Sequence, residues 1–221
     1  MLIKKFWKMY PISKNRKSVS MERIKLTKKK RLELRKFGKE YFDGDRTYGC
    51  GGYYYKPIFF KKIVKTMIKH YKINNNSKIL DVGCAKGFMM YEFKKILPKS
   101  KVYGIDISKY CKKNAVNSKI KKNIKIASCD NIPFPDNYFD LVISISTIHN
   151  LALNGVKKSL KEISRVGNGK SFIKVNGYKN SKEKKLLNEW NIVAKTILSE
   201  AKWKKIFKET DYQGDYDWFK I

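Results

Sequence analysis

The stretch Ile79-Leu80-Asp81-Val82-Gly83-Cys84-Ala85-Lys86-Gly87 decides the fold. It reads as a short buried strand running into a glycine-rich turn and then a helix. Such a turn brings backbone N–H groups and a helix N-terminus within reach of a ligand. Alone it is a weak signal, and two further segments sharpen it. Val102-Tyr103-Gly104-Ile105-Asp106 is a second apolar strand that ends in an acid, 25 residues after Asp81. Residues 127–144 then supply a third loop, built around Ile132-Pro133-Phe134-Pro135, and a fourth strand.

Outward from this stretch, strands and helices alternate. Pro57 suits the first turn of a helix reaching Tyr71, with Ile58, Phe59, Ile63, Met67 and Ile68 facing inward. The pattern then predicts strand 78–83, helix 87–97 ended by Pro98, strand 101–106, helix 108–117 and strands 124–128 and 139–145. A helix at 155–165, a strand at 171–177, a helix near 182–190, a helix from Ser199 to Thr210 and a terminal strand at 212–221 complete it. Alternation of this kind predicts an α/β fold: a Rossmann-like, doubly wound, mostly parallel sheet with helices on both faces. Residues 57–221 carry it.

Residues 1–56 read differently. Residues 1–20 look like a basic arm with embedded Phe6, Trp7 and Tyr10, and 21–42 are helix-compatible with Ile24, Leu32, Leu34, Phe37 and Phe42 on one face. Between Asp43 and Tyr55 there are four glycines and four tyrosines, which suggests a structured loop with tight turns and ring surfaces.

The chain of 221 residues is long enough for one such domain plus this extension, and 42% hydrophobic content predicts a packed fold. No apolar run approaches the ~20 residues of a membrane span, and the lysine-interrupted N-terminus is no secretory signal, so a cytoplasmic location is expected. Cys50, Cys84, Cys111 and Cys129 form no Cys-x-x-Cys pair, and only His70 and His149 accompany them; free thiols and no metal site are expected. The net charge of +32 invites a nucleic-acid reading. Residues 1–40 hold 15 Lys and Arg against 3 Glu, yet lysine far outnumbers arginine, alongside abundant Asn and Ile. An AT-rich coding sequence yields that composition without selection for RNA binding, and arginine is the more informative phosphate ligand.

The three segments, in this order and spacing, resemble the class I S-adenosylmethionine-dependent methyltransferases, and among them the type 11 group, over roughly residues 58–180. The resemblance implies S-adenosylmethionine as cofactor. It also implies a sheet closed by an antiparallel hairpin, for which the tail has residues for one strand. Asp81 and the Gly83–Gly87 turn, with Cys84, would hold the amino-acid end of the cofactor: N–H groups for its carboxylate, carbonyls and the acid for its ammonium. Asp106, followed by Ile107, would accept hydrogen bonds from the ribose hydroxyls. Ser128, Cys129 and Asp130 would meet the adenine, with the contact from Ser128 or from Asp130, and Ser144 would lie at the end of the fourth strand. The family pattern has a third glycine where this chain has Ala85. If that position needs a positive φ, alanine costs roughly 1 kcal/mol.

On the acceptor side, His149 has two readings, a general base for a hydroxyl or acid acceptor, or a histidine packed beneath the site. Asp45, Arg46, Tyr48 and Tyr53–Tyr55 form either a lid over the methyl group, with Tyr48 catalytic, or a loop packed on the sheet edge. The Asp/Asn-Pro-Pro-aromatic motif of amino-methylating nucleic-acid enzymes and the Pro-Cys of cytosine C5 enzymes are both missing. Residues 41–53 and 214–219 also look like segments of methyltransferases that act on surface saccharides and small metabolites. A methyl transfer to a small-molecule or saccharide-related acceptor is therefore expected. The alternatives are an RNA methyltransferase gripping its substrate with the basic arm and a non-catalytic cofactor-binding protein.

Overall fold

A computed structural model describes residues 1–2 and 16–219. The aromatic-studded arm expected within residues 1–20 lies largely outside them. The sheet has seven strands: β1 (Lys78–Val82), β2 (Lys101–Asp106), β3 (Ile124–Ile126), β4 (Leu141–Ile145), β5 (Ser171–Tyr178), β6 (Leu198–Ser199) and β7 (Asp215–Phe219). The order is β3-β2-β1-β4-β5-β6, with β7 also paired to β5. Strand order reverses between β1 and β4, and in open α/β sheets ligands bind at that reversal, outside the carboxyl ends of the strands.

The reason for burial on both faces lies in β1 itself. Ile79 belongs to a cluster with Ile63, Met67, Phe88 and Phe93, from helices α4 (Pro57–Tyr71) and α5 (Phe88–Ile96). Leu80 and Val82 point the other way, into a cluster with Val156, Leu160, Trp203 and Phe207, from α8 (Leu153–Val166) and α10 (Glu200–Glu209). Asp81 is the polar side chain within the buried run Ile79–Val82 of this strand.

Three details depart from expectation. Every strand pairing among the described residues is parallel, including β5 with β7 from Phe172↔Asp215 to Asn176↔Phe219. The antiparallel closure implied by the resemblance is therefore replaced. Helix α10 separates β6 from β7 and carries the chain back to the same end of the sheet, which a tight hairpin would not do. The single helix expected over 108–117 is shorter, α6 (Lys109–Lys113), and a second, α7 (Ser118–Lys122), follows it, capped by Asn117, whose side chain accepts from Ile120 N–H at 2.8 Å. Residues 21–42 are not one helix but parts of three: α1 (Arg16–Ile24), α2 (Lys28–Leu34) and α3 (Lys39–Asp43). Thr27 caps α2 by accepting from Lys30 N–H at 3.1 Å, and Phe37 sits at φ +51° just before Gly38. Both are local devices that break a continuous helix.

Helix α9 (Ser181–Trp190) anchors the segment 16–56. Arg23, 3% exposed, donates to the carbonyls of Trp190 (2.9 Å), Arg46 (2.7 Å) and Gly49 (2.6 Å), and its guanidinium lies 4.2 Å from the Trp190 ring. Burial and the nearby Arg46 lower its pKa to about 10. Among the described residues, no helix is long and apolar enough to cross a membrane.

Candidate functional site

The carboxyl ends of β1, β2 and β4 open into a cavity of about 310 Å³. Gly83, Ala85, Asp106, Ile107, Ser128 and Cys129 form one side. Ser146, Thr147, Asn150, Leu151 and Lys195 form another, and Arg35, Phe37, Tyr41, Phe42, Cys50 and Tyr53 close over the top.

The turn after β1 is set by backbone geometry. Gly83 (φ +81°) and Gly87 (φ +76°) take left-handed conformations. A Cβ on Gly83 would lie 2.1 Å from Thr147 Oγ1, so only glycine lets the turn approach the loop after β4. Ala85 also needs a positive φ, +47°, and alanine there is strained. Ala85→Gly should raise stability by about 1 kcal/mol, read as a higher denaturant midpoint at constant slope. Phe37 and Ser146 (φ +56°) share this strained geometry, and all three line the cavity. Strain of this kind collects at functional sites.

The expectation that turn N–H groups hold the cofactor carboxylate does not fit the observed bonds. Gly83 and Cys84 N–H donate to Ile105 O (2.8 and 3.0 Å), Ala85 N–H to Asp106 Oδ2 (2.8 Å) and Gly87 N–H to Cys84 O (2.8 Å). These bonds splice the turn to β2; of the two acids beside it, Asp106 lines the cavity and Asp81 is buried. Asp81 is 4% exposed, and its carboxylate has no hydrogen-bond or ion-pair partner among the described residues. Burial, and then the charge of Asp106, push its pKa up to about 7. Asp106 accepts from Ala85 N–H and from Ser108 N–H (2.7 Å); burial raises its pKa.

An unpartnered buried carboxylate is costly unless a cation comes to it. The sign of the resulting pH dependence follows from the raised value. The ligand-free protein gains stability from protonated Asp81 below the ordinary carboxylate value of 3.8 and loses it as pH rises through about 7. A cation that binds ionised Asp81 displaces a proton below about 7. Affinity for a cationic ligand held by Asp81 should therefore rise by up to about tenfold per pH unit below that value and level off above it. Calorimetry in buffers of different ionisation enthalpy checks this, and Asp81→Asn should flatten the profile.

The other expected residues sort clearly. Gly83, Asp106, Ile107, Ser128 and Cys129 line the cavity, and Ser128 donates to Asp130 beside it. Cys84 is buried within the turn, and Gly87 lies behind it, where a Cβ would meet Ile120 at 2.4 Å. Ser144 is buried beneath, donating to Val82 O at 3.2 Å. His149 does not line the cavity. It is 4% exposed, its Nδ1 accepts Asn176 N–H at 3.3 Å, and burial lowers its pKa to about 3. This geometry fits the packed histidine and not the general base. Tyr48 also lies away from the cavity, packed beside Leu34, Ile192 and Val193 with Lys30 4.6 Å from its ring. Of the expected lid, Tyr53 faces the cavity, Tyr54 is exposed, and the Tyr55 hydroxyl donates to Glu92.

Sequence reading missed Asp43. Its carboxylate accepts from Lys86 Nζ (2.8 and 2.7 Å), Tyr110 hydroxyl (2.5 Å) and Tyr53 N–H (2.9 Å), so Lys86 of the glycine turn clasps the overlying segment. It also missed Arg35 and Lys195, which lie far apart in the chain and carry no motif, whereas Asn150 falls in the segment after the fourth strand expected on the acceptor side.

A parallel sheet with a reversal at β1, a left-handed glycine turn and an acid ending β2 together define a Rossmann-like domain. Residues 80–173 match the family model described as a methyltransferase domain. A mitochondrial arginine-hydroxylase, NDUFAF5, of Rattus norvegicus is 31% identical over 87 residues, 39% of this chain and 24% of that protein. The carboxy-S-adenosyl-L-methionine synthase of Staphylococcus epidermidis is 32% identical over 129 residues, 56% of this chain and 55% of that one. The chain thus spans from about a quarter to about half the length of these curated relatives. The crystal structure of Bacillus subtilis YcgJ shares the fold, with a TM-score of 0.55 at 20% identity over 66% of each chain. These likenesses support a methyltransferase domain over residues 80–173, on a fold shared with the class I S-adenosylmethionine-dependent methyltransferases.

Proposed function

We propose that the protein transfers a methyl group from S-adenosylmethionine to a small acceptor bound in the same cavity. The observation that carries this reading is a pair of acids on neighbouring strands, Asp106 lining the cavity at the end of β2 and Asp81 buried on β1 with no partner among the described residues. When bound, the cofactor supplies a methyl carbon activated by a sulfonium. Asp81 holds its ammonium, Asp106 accepts from its ribose hydroxyls, and Ile107, Ser128 and Cys129 flank its adenine with Asp130 bracing Ser128. Residues 16–56 act as a cap: Phe37, Tyr41, Phe42 and Tyr53 exclude water, which strengthens electrostatic contacts inside. With His149 withdrawn from the cavity, positioning supplies the catalysis. The RNA alternative draws little from the cap, because Arg23, Arg31 and Arg46 donate to carbonyls of the chain itself.

Calorimetry with S-adenosylhomocysteine tests the site, and one-to-one binding is expected. Methyl-labelled S-adenosylmethionine incubated with protein and fractionated lysate tests the reaction, with label expected in small molecules. Cofactor binding with no label transferred to any fraction would overturn the enzyme reading, and label in RNA would overturn the acceptor class.

A further inference from the structure

The cavity walls divide by charge. Asp106, at the end of β2, lines one side, whereas the wall beyond β4 carries cations. Arg35 and Lys195 both line the cavity and converge on the loop 191–196. Arg35 Nε donates to Val193 O at 3.2 Å, and its two terminal nitrogens have no partner among the described residues. The backbone N–H groups of Lys195 and Thr196 donate to His149 O at 3.1 and 3.0 Å, which sets Lys195 beside Asn150; the Lys195 ammonium is exposed and likewise unpartnered. Asn150 adds a third feature. Its Nδ2 donates to the carbonyl of Ser146 at 3.4 Å, which assigns the amide orientation, and its Oδ1 is buried with no donor among the described residues.

A guanidinium with a free fork, an ammonium and an orphaned acceptor on one wall ask for a ligand with an anionic group and a hydrogen-bond donor. We infer that the methyl acceptor is a small anion, a carboxylate or phosphate held by Arg35 and Lys195, whose hydroxyl or amine donates to Asn150 Oδ1. This rests on the methyl-transfer reading above and specifies its substrate class. The cofactor's own carboxylate is the less fitting occupant. Arg35 is anchored on the loop beside β5 and β6, while Asp81 is on β1, and at about 4.8 Å per strand two spacings separate β1 from β5. In the transfer, the acceptor oxygen or nitrogen forms a bond to the methyl carbon. The carbon–sulfur bond breaks and sulfur keeps the electron pair. The O–H or N–H proton leaves to water at the cavity mouth, because the Asn150 amide accepts a hydrogen bond without taking up the proton.

The test titrates 4-hydroxybenzoate, 3-hydroxybutyrate and glycerol 3-phosphate into full-length protein saturated with S-adenosylhomocysteine. At least one anion should bind saturably, and the carboxylate and phosphate arms tell the two anion types apart. The neutral counterparts (methyl 4-hydroxybenzoate, methyl 3-hydroxybutyrate and glycerol) should bind at least tenfold more weakly. Lys195→Gln and Arg35→Gln should each weaken anion binding by tenfold or more with S-adenosylhomocysteine affinity held within about twofold. Lys195 anchors nothing by its side chain, so that variant stays informative if Arg35→Gln loosens the cap. Asn150→Ala should narrow the gap between each hydroxy acid and its deoxy counterpart. Saturable binding by none of the anions, equal binding of the neutral counterparts, or loss of S-adenosylhomocysteine affinity in Lys195→Gln as large as the loss for the anion would each overturn the proposal. Failure of S-adenosylhomocysteine to bind the unaltered protein would instead overturn the cofactor reading on which it rests.

Discussion

Asp106→Ala should bind S-adenosylmethionine about tenfold to a hundredfold more weakly, the ~1–3 kcal/mol expected when a charge-assisted hydrogen-bond acceptor is removed. The carboxylate has two tasks. It faces the cavity at the end of β2, and it holds Ala85 N–H at 2.8 Å and Ser108 N–H at 2.7 Å. Its loss therefore removes a ligand contact and releases a strained residue at φ +47°. Asp106→Asn keeps one carbonyl acceptor and should fall between the two. Calorimetry at pH 8, where Asp81 is mostly ionised, isolates the effect. Affinity unchanged in Asp106→Ala would sink the site assignment.

Arg23→Ala should detach the cap. Three carbonyls, of Trp190, Arg46 and Gly49, lose their donor in a place where Arg23 is 3% exposed, and the Trp190 ring loses its cationic neighbour. Orphaned buried groups cost about 1–3 kcal/mol each and do not add simply, so a loss of about 3 kcal/mol or more is expected. Arg23→Lys should rescue little, since one ammonium cannot reproduce the fork. The loss should be local. Hydrogen exchange should accelerate across residues 16–56 while β1, β4 and β5 keep their protection, and cofactor affinity should fall because Phe37, Tyr41 and Phe42 no longer cover the cavity. Uniformly preserved protection would show that Lys86, Asp43 and the other clasp contacts hold the cap without Arg23.

The alternating core was legible because its signals are local. Buried strands, a glycine turn and capping residues such as Ser199, which accepts from Lys202 N–H at 3.2 Å, act within a few residues. The cap was less legible. Its apolar residues suit one helical face, yet Thr27, Phe37 and Gly38 break the segment, and a left-handed phenylalanine carries no composition signal. His149 was ambiguous for a related reason, since burial withdrew it from the cavity and burial depends on the strands around it.

Sequence by itself determined the doubly wound core, the acids Asp81 and Asp106 on neighbouring strands, and a glycine-rich turn between strand and helix, because strand periodicity and turn chemistry are properties of neighbours in the chain. Only the tertiary structure decided that the sheet closes in parallel, that Asp81 has no partner among the described residues, and that Lys86 clasps Asp43. It alone brought Arg35, Asn150 and Lys195 to one wall. Those outcomes depend on contacts between residues tens of positions apart, and such contacts form only when the packed sheet sets which loops share an edge.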